Sequence, residues 1–322
     1  MLSTEKTTIN NTQFLQETLA GLSAEPKRMF SKYFYDEVGD HIFQQIMDME
    51  EYYLTNAEME IMQYQASGLA DAISTENEAF DLIELGAGDA TKSIHLLKML
   101  LAKNLNFKYY PIDFSEHVID DLELNLPIKL PELEFEGLNG DYFDMLKKAA
   151  EISERKKVVL FMGANIGNMN VNEAKEFCLS LKQLLSPNDI LIIGFDLKKN
   201  PHQILAAYND RAGITRSFNL NLLSRINREL DGNFDLNAFE HYASYDPETG
   251  ACKSYLISLK NQVVNIGSAA IHFSENEFIL MEISQKYSLN EIDELAQSSG
   301  FQLVIYFTDQ QKYFVDAVWR VG

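Results

Sequence analysis

Between residues 80 and 195, short apolar segments alternate with helical stretches, and this rhythm constrains the fold more than any other feature of the chain. The five apolar segments cover residues 80–85, 109–113, 133–138, 157–162 and 189–195. Strands that are almost continuously apolar are buried on both faces, as in a parallel sheet that helices cover on both sides. The sequence therefore predicts an α/β fold built on a mostly parallel sheet.

Residues 200–287 interrupt this rhythm and predict an inserted α+β region, because a helix is followed by longer segments of alternating polarity. The helix spans residues 217–229, and the alternating segments span 241–245, 254–259 and 279–284. After a further helix at 289–299, two apolar segments are separated by a short turn, so they must form antiparallel neighbours. These segments cover residues 301–307 and 313–319.

Two domains follow from these patterns. Residues 61–199 with 288–322 are predicted to form one, and residues 1–60 with 200–287 the other. Near their first junction, Thr55-Asn56-Ala57-Glu58 has the pattern of a capping box and predicts a helix from there to about residue 73.

The charge of the chain excludes some partners. It has 48 acidic and 27 basic residues, a net charge of −21, whereas binding along nucleic acid or an anionic membrane needs a basic face.

Two cysteines and six scattered histidines predict neither a disulfide framework nor a metal site. The N-terminus lacks the apolar core of a signal peptide, and no apolar run is long enough to span a membrane. We expect a cytoplasmic monomer that acts on a small molecule.

Three predicted strand ends carry side chains suited to a ligand, which in open parallel sheets binds beyond the carboxyl ends of the strands. Gly86 and Gly88 let the backbone turn tightly and approach a ligand closely. Asp113 ends the second strand, where an acidic residue can accept hydrogen bonds from ribose hydroxyls. Asp141 and Tyr142 follow the third strand, where the carboxylate can accept from an adenine amino group. Together they predict a site for an adenosyl group.

Two further side chains flank the glycines. Lys92 lies in the first turns of the next helix, where it could reach a carboxylate of the ligand, and Glu84 is expected to bond the amides of the glycine loop. The plain alternatives are turn or capping aspartates at 113 and 141, and a solvated lysine at 92. The third glycine of GxGxxG is missing, which weakens the case for a dinucleotide oxidoreductase.

Six segments, in order over nearly the whole chain, carry a resemblance to a known family. They are residues 32–36 (KYFYD) with Gly39 and Phe43, 51–55 (EYYLT), 84–88 (ELGAG), 161–168 (FMGANIGN), 206–227 (AAYND, FNLNLL and RIN) and 282–284 (EIS). The chain resembles the histidine N-alpha-methyltransferases of ergothioneine biosynthesis, whose wider family includes fungal N-methyltransferases of tryptophan derivatives. In the segment 161–168, glycines leave space and asparagines offer amides for an acceptor. Its plain alternative is a Gly/Asn turn.

The resemblance implies a class I methyltransferase, with a Rossmann-like sheet closed by an antiparallel hairpin and an inserted α+β substrate-binding domain. It implies S-adenosyl-L-methionine (SAM) as the methyl donor and no metal. The residues implied for SAM are Tyr52, Gly86, Gly88, Lys92, Asp113, Asp141 and Tyr142. Those implied for the acceptor are Phe43, Gly163, Asn168, Tyr208, Thr215, Glu282 and Ser284. Asn168, Tyr35 and Tyr52 are implied as catalytic residues beside the reacting groups.

The implied reaction is methylation, up to trimethylation, of the α-amino group of L-histidine to give hercynine. Glu282 and Ser284 share one face of a strand and would bond the imidazole nitrogens. A carboxylate such as Glu282 suits an imidazole better than an indole, because an indole offers only one donor. One alternative is an N-methyltransferase for tryptophan or another aromatic amino acid. A second alternative is a non-catalytic protein of this fold that binds SAM or a nucleotide.

Single residues of this set have plain alternatives. Tyr35, Phe43 and Tyr52 are equally compatible with core aromatics, and the strand face with Glu282 with a solvated surface. The chain also departs from the family, whose histidine-methylating members often have a methionine near the position of Ser254. A smaller polar residue would enlarge the pocket, which puts strict histidine specificity in question but not methyl transfer.

Overall fold

A computed structural model describes residues 3–74 and 78–322 of the chain, with side chains described from residue 11 onwards. The helices are α1 (Ser3–Leu22), α2 (Glu37–Asp48), α3 (Tyr53–Ile73), α4 (Ser93–Ala102), α5 (Glu116–Lys129), α6 (Tyr142–Ile152), α7 (Val171–Leu184), α8 (Pro201–Tyr208), α9 (Ile214–Glu229) and α10 (Leu289–Ser298). The strands are β1 (Lys27–Arg28), β2 (Phe80–Leu85), β3 (Phe107–Asp113), β4 (Leu138–Asn139), β5 (Lys156–Phe161), β6 (Ile190–Asp196), β7 (Phe239–Tyr245), β8 (Ala251–Ser258), β9 (Gln262–Ile266), β10 (Ala269–Phe273), β11 (Phe278–Gln285), β12 (Phe301–Thr308) and β13 (Phe314–Val321).

The chain forms two compact units, each assembled from two separate stretches. The first contains Met1–Tyr53 and Lys199–Ser284, and the second contains Leu54–Lys198 and Gln285–Gly322. In the part of the chain that the structure describes, none of the helices combines the length and apolarity that crossing a bilayer demands.

A seven-stranded sheet in the order β12-β13-β6-β5-β2-β3-β4 forms the centre of the second unit. The five strands from β6 to β4 are parallel, while β13 is antiparallel to both β6 and β12. Strands β2 and β6 are buried along their whole length, as their apolar sequences require when helices cover both faces. The α/β fold with a mostly parallel sheet and a closing antiparallel hairpin is thereby confirmed.

The predicted third strand at 133–138 was wrong in extent. Only Leu138 and Asn139 pair regularly with β3, and a single bridge joins Tyr109 to Phe135. Glutamates alternate with apolar residues in this segment, which lies at the edge of the sheet. Gly137 then approaches α5 so closely that a Cβ would lie 2.6 Å from Ile119 Cγ2. A strand at the edge of a sheet has one side exposed to solvent. It can lose regular pairing at little cost in free energy, because water satisfies its backbone groups.

The predicted capping box at 55–58 was also wrong. Helix α3 begins at Tyr53, two residues before Thr55. The side chain of Glu58 is fully buried and bonds the amide of Gly163 instead of a backbone group of its own helix. A partner 105 residues away in the chain therefore outweighs the local capping pattern.

A four-stranded sheet in the order β1-β11-β8-β7 organises the first unit. Strands β7 and β8 are antiparallel, whereas the short β1 lies parallel to β11. Apolar side chains of α9 pack against this sheet in one core, which includes Phe34, Phe218 and Phe239. The unit has the predicted inserted α+β character.

Sequence analysis missed the hairpin of β9 and β10, which pair antiparallel from Ile266 and Ala269 outwards. The two strands are joined by Gly267 and Ser268, and Gly267 has a φ of +54°. Glycine followed by serine between two alternating segments is a recognised signal of a tight hairpin. The signal was therefore present in the sequence.

Candidate active site

The turn after β2 is shaped by two glycines with left-handed backbone, Gly86 (φ +74°) and Gly88 (φ +52°). The amides of Gly86 and Ala87 both donate to the carbonyl of Ile112 on β3, at 2.8 and 3.2 Å. A Cβ on Gly86 would lie 2.7 Å from the Tyr142 hydroxyl, whereas a Cβ on Gly88 would meet no atom within 4 Å. The turn is therefore tightly packed at Gly86 and open at Gly88, which leaves room for a ligand.

Asp113 at the end of β3 is held by two backbone amides. Its Oδ2 accepts from Gly88 at 3.2 Å and its Oδ1 from Ser115 at 3.0 Å. The residue therefore also performs the turn role that was the plain alternative. An ionised carboxylate has about four acceptor positions, so two remain for hydroxyl groups of a ligand.

The structure assigns different local roles to Asp141 and Tyr142. Asp141 caps α6 through Oδ1 alone, which accepts from the amides of Phe143 and Asp144 at 2.9 and 3.3 Å. The Tyr142 ring packs against Phe114, with 4.7 Å between ring centroids. Burial raises the pKa of the Tyr142 hydroxyl, which therefore remains a hydrogen-bond donor at neutral pH.

Lys92 precedes α4 and is ion-paired with Glu58, so the solvated alternative does not hold. Burial by itself disfavours the charged amine, but the Glu58 carboxylate outweighs burial, and the pKa of Lys92 is raised. Sequence analysis placed Glu58 in a capping box and did not identify it as the partner of Lys92. The signal that could have revealed it is its position on the apolar face of α3, with Leu54 and Ile61 buried one turn away on either side.

Glu84 does not bond the glycine-loop amides as predicted. It is buried below the turn and accepts from the Tyr109 hydroxyl at 2.5 Å. Burial raises its pKa to about 7, although the Tyr109 hydroxyl opposes that shift. The reason for the difference is its place on β2, where the Tyr109 hydroxyl of the adjacent strand β3 donates to its carboxylate.

The segment after β5 has left-handed backbone at Gly163 (φ +74°) and Ala164 (φ +55°) and continues as a 3-10 turn over Asn165–Asn168. Asn168 is exposed at the end of this turn. Asn165 Nδ2 lies within 3.6 Å of the positions where Cβ atoms would stand on Gly86 and Gly163. The residue that faces the glycine turn is therefore Asn165, which sequence analysis did not single out.

In the first unit, the structure brings Tyr52, Tyr208 and Ser284 together. The Tyr208 hydroxyl and Ser284 Oγ are hydrogen-bonded at 2.7 Å, and both side chains are buried. The ring of Tyr52 meets that of Tyr208 edge-on, with centroids 6.3 Å apart. Glu282 precedes Ser284 by two residues on β11 and is half-buried, so the solvated alternative does not describe this strand.

The other predicted residues of this unit lie near α9. Tyr35 is 45% exposed and packs edge-on against Phe43, while both rings also meet Phe218. Thr215 is buried in the first turn of α9, and its amide donates to Asp210 at 2.8 Å. Asp210, which sequence analysis missed, has a lowered pKa because these amide bonds outweigh its burial.

Ser254 is buried on β8, and its hydroxyl has no hydrogen-bond partner within residues 3–74 and 78–322. A buried hydroxyl without a partner is costly. Among the same residues, no three His, Cys, Asp or Glu side chains are grouped to hold a metal ion.

His241 on β7 predicts a pH-dependent stability. Burial lowers its pKa from 6.5 to about 4, while Asp210 opposes the shift and Arg216 adds to it. Between these values the unfolded chain binds a proton that the folded chain does not, so the free energy of unfolding falls as the pH falls from 6.5 to 4. At about 1.4 kcal/mol per pKa unit, the loss amounts to a few kcal/mol.

Denaturant unfolding at a series of pH values, followed by circular dichroism, measures this effect. His241→Gln removes the titrating group, and its stability should fall less than that of the unchanged protein over the same range. Equal slopes for both proteins would contradict the assignment to His241.

Comparisons with known proteins show similarity to one family of methyltransferases over most of the chain. The profile of a family described as histidine-specific, SAM-dependent methyltransferases matches residues 14–321. Histidine N-alpha-methyltransferase of Mycolicibacterium smegmatis is 32% identical over 297 residues, which cover 91% of this chain and 90% of the relative. Ergothioneine biosynthesis protein 1 of Neurospora crassa is 31% identical over 295 residues, 89% of this chain but 32% of that protein. L-tryptophan methyltransferase trpM of Psilocybe serbica is 28% identical over 320 residues, 92% of this chain and 89% of that protein.

Proposed function

Because this chain belongs to the family of histidine-specific, SAM-dependent methyltransferases, we propose that it methylates the α-amino group of L-histidine with SAM. The observation that carries the choice of substrate is the buried pair of Tyr208 and Ser284 hydroxyls, with Glu282 two residues away on the same strand. A few polar groups in apolar surroundings are typical of a small-molecule pocket.

Glu282 and Ser284 support an imidazole as the ring of the substrate. A neutral imidazole has one donor and one acceptor nitrogen, whereas an indole offers one donor only. A carboxylate and a hydroxyl can satisfy both imidazole nitrogens. Tyr208 and Asn168 are proposed to bind the amino and carboxylate groups, and Phe43, Gly163 and Thr215 to form the walls.

The residues around the glycine turn fit a SAM molecule. The open space at Gly88 admits the ligand, and Asp113 has acceptor positions left for the ribose. Oδ2 of Asp141, which the helix cap does not use, is suited to the adenine amino group. Lys92 supplies a cation for the carboxylate of SAM, and Tyr142 a hydroxyl.

SAM supplies a methyl group on a sulfonium, which is already a good leaving group, so alignment is the main task of the protein. The amine must be bound as the free base, because an ammonium has no lone pair. We assign its orientation to Asn168 and the Tyr35 hydroxyl, with Tyr52 beside the methyl group, and the proton leaves to water. Repeated transfer gives the trimethylated betaine hercynine, where the reaction ends because the quaternary nitrogen has no lone pair.

Ser254 favours a second candidate, N-methylation of tryptophan or another aromatic amino acid. The resemblance to the family implies a methionine near this position in members that methylate histidine, whereas Ser254 has a small side chain whose hydroxyl has no partner within the described residues. A smaller side chain here would suit a substrate with a larger ring.

Incubation with SAM and each of the twenty amino acids, read by mass spectrometry, tests both candidates. We expect histidine to gain three methyl groups and to be the preferred substrate. Preference for tryptophan would favour the second candidate, and a product that stalls at one methyl group would contradict trimethylation.

Asn168→Ala should reduce kcat/KM for histidine roughly 100-fold, because a misplaced acceptor loses that much reactivity. Asn172→Ala is the matched control, since Asn172 is an exposed asparagine four residues further along the chain, in the first turn of α7. An unchanged kcat/KM in Asn168→Ala would exclude its role at the acceptor.

We further propose that the enzyme acts as a cytoplasmic monomer without nucleic acid. The net charge of −21 supports the last point. Size-exclusion chromatography with light scattering tests the oligomeric state.

A further inference from the structure

A buried charged cluster in the second unit connects α3, α4 and the segment after β5. Glu58 of α3 is fully buried, and its two carboxylate oxygens have different partners. Oε1 accepts from the Gly163 amide at 2.7 Å, and Oε2 is paired with the Lys92 ammonium. One carboxylate therefore links two segments proposed to bind the reactants.

Gly194 creates the space for the Glu58 carboxylate. A Cβ on this residue of β6 would lie 2.6 Å from Glu58 Oε1. The carboxylate thus occupies the position where a side chain of the sheet would otherwise stand. Any residue other than glycine at 194 would force Glu58 to move, since the conflict lies well inside van der Waals contact.

Asp316 is the second acid of the cluster. It stands opposite Gly194 in the pairing of β13 with β6, and it is fully buried. Neither of its oxygens has a hydrogen-bond partner within the described part of the chain. A charged carboxylate without donors, close to a second carboxylate, is too costly to bury.

Asp316 is therefore the neutral acid of the cluster. Burial raises the pKa of Asp316 well above its usual value, and the Glu58 charge raises it further, while Lys92 opposes the shift. Glu84, on strand β2 of the same sheet, also has a raised pKa, of about 7, because it is buried. Lys92 accordingly forms its ion pair with Glu58.

We propose that Glu58 is a positioning residue for the methyl donor, which fixes the Lys92 ammonium towards the amino acid end of SAM and holds the segment that begins at Gly163. The inference rests on the proposed function in taking Lys92 as a SAM ligand. Lys92 has three donor hydrogens, of which one is used by Glu58. The ammonium therefore keeps donors for the ligand carboxylate while Glu58 limits its motion.

Two ligands separate positioning from a merely structural role. S-adenosylhomocysteine has the carboxylate that Lys92 is proposed to bind, whereas 5′-methylthioadenosine lacks the amino acid end. In Glu58→Gln, an amide donor must face either the Gly163 amide or Lys92, which are both donors. By calorimetry we expect this variant to bind S-adenosylhomocysteine about tenfold to a hundredfold more weakly, the effect of one charge-assisted hydrogen bond, and methylthioadenosine with unchanged affinity.

Further variants make the test specific. Glu60→Gln is the matched control, because it makes the same change on the same helix at a residue that accepts from the exposed Gln310 amide. Asp316→Asn should retain affinity for both ligands, since it replaces a neutral acid by a neutral amide of the same shape.

If Glu58→Gln does not fold, Lys92→Met should show the same selective loss. Where Glu58→Gln does fold, its addition to Lys92→Met should have little further effect on the affinity, because coupled residues are not additive.

Equal weakening of both ligands in Glu58→Gln, or no weakening of either, would overturn the inference. A loss in Asp316→Asn as large as that in Glu58→Gln would overturn the assignment of Glu58 as the paired anion. These outcomes are independent of the proposed substrate, because both ligands bind without an acceptor. Protein that binds S-adenosylhomocysteine but does not methylate histidine would refute the proposed function alone.

Discussion

Gly86→Ala is expected to reduce the affinity for S-adenosylhomocysteine on the order of 100-fold, or about 2.7 kcal/mol, while the protein remains folded. The new Cβ would lie 2.7 Å from the Tyr142 hydroxyl, so either the turn or the ring must move. The ring is packed against Phe114, and the turn determines how closely a ligand can approach the backbone. Calorimetric titration of the variant measures the loss.

Two companion variants separate the steric conflict from backbone strain. Gly267→Ala introduces a side chain at a similar positive φ, but no atom lies within 4 Å of its Cβ. It should therefore cost about 1 kcal/mol of stability and leave the affinity unchanged. Gly86→Ala combined with Tyr142→Phe removes the conflicting hydroxyl and should recover part of the affinity lost by Gly86→Ala. Wild-type affinity in Gly86→Ala alone would show that the turn does not contact the ligand.

Lys286→Met is expected to reduce the free energy of unfolding of the second unit by about 3–5 kcal/mol, because removing one partner of a buried ion pair is strongly destabilising. Lys286 and Asp196 are both fully buried, with 2.6 Å between Nζ and Oδ2. Such a loss is a large part of the 5–15 kcal/mol that is typical of a folded domain. The single tryptophan, Trp319, is buried on β13 of the same unit, so urea unfolding followed by its fluorescence measures this unit directly.

The control for this prediction is Lys103→Met, also in the second unit. Lys103 pairs with Asp71, whose side chain is 67% exposed, and exposed pairs contribute less than about 1 kcal/mol. Combination of Lys286→Met with Asp196→Leu should recover much of the stability, because the buried ion pair is then replaced by apolar side chains. A loss below 1 kcal/mol in Lys286→Met would contradict the prediction.

The donor half of the candidate site could be anticipated because its signals are local. The glycine turn and Asp113 each end an apolar strand, and the carboxyl ends of parallel strands meet at one edge of the sheet. The structure accordingly bonds the Gly88 amide to Asp113, which is 25 residues further along the chain. Side chains at strand ends can be identified without knowledge of how the helices pack.

Glu58 shows why other parts could not be anticipated. Its local sequence, Thr55 to Glu58, satisfies a capping pattern, yet its partners are Gly163 and Lys92. A short-range pattern competes here with contacts that exist only after the sheet has formed. The bond between Tyr208 and Ser284, 76 residues apart, is of the same kind, and only the resemblance to a family drew attention to those two residues before the structure did.

The α/β sheet, the glycine turn and the resemblance to a family could be recognised from the order of the residues, because strand burial, backbone freedom and long matching segments are local properties of a chain. Which polar side chains are buried together, and that Asp316 is the neutral acid of its cluster, became clear only from the folded chain. The physical reason is that the pKa of a buried group depends on the groups packed around it. Those neighbours come from distant parts of the chain, so neither spacing nor composition could identify them.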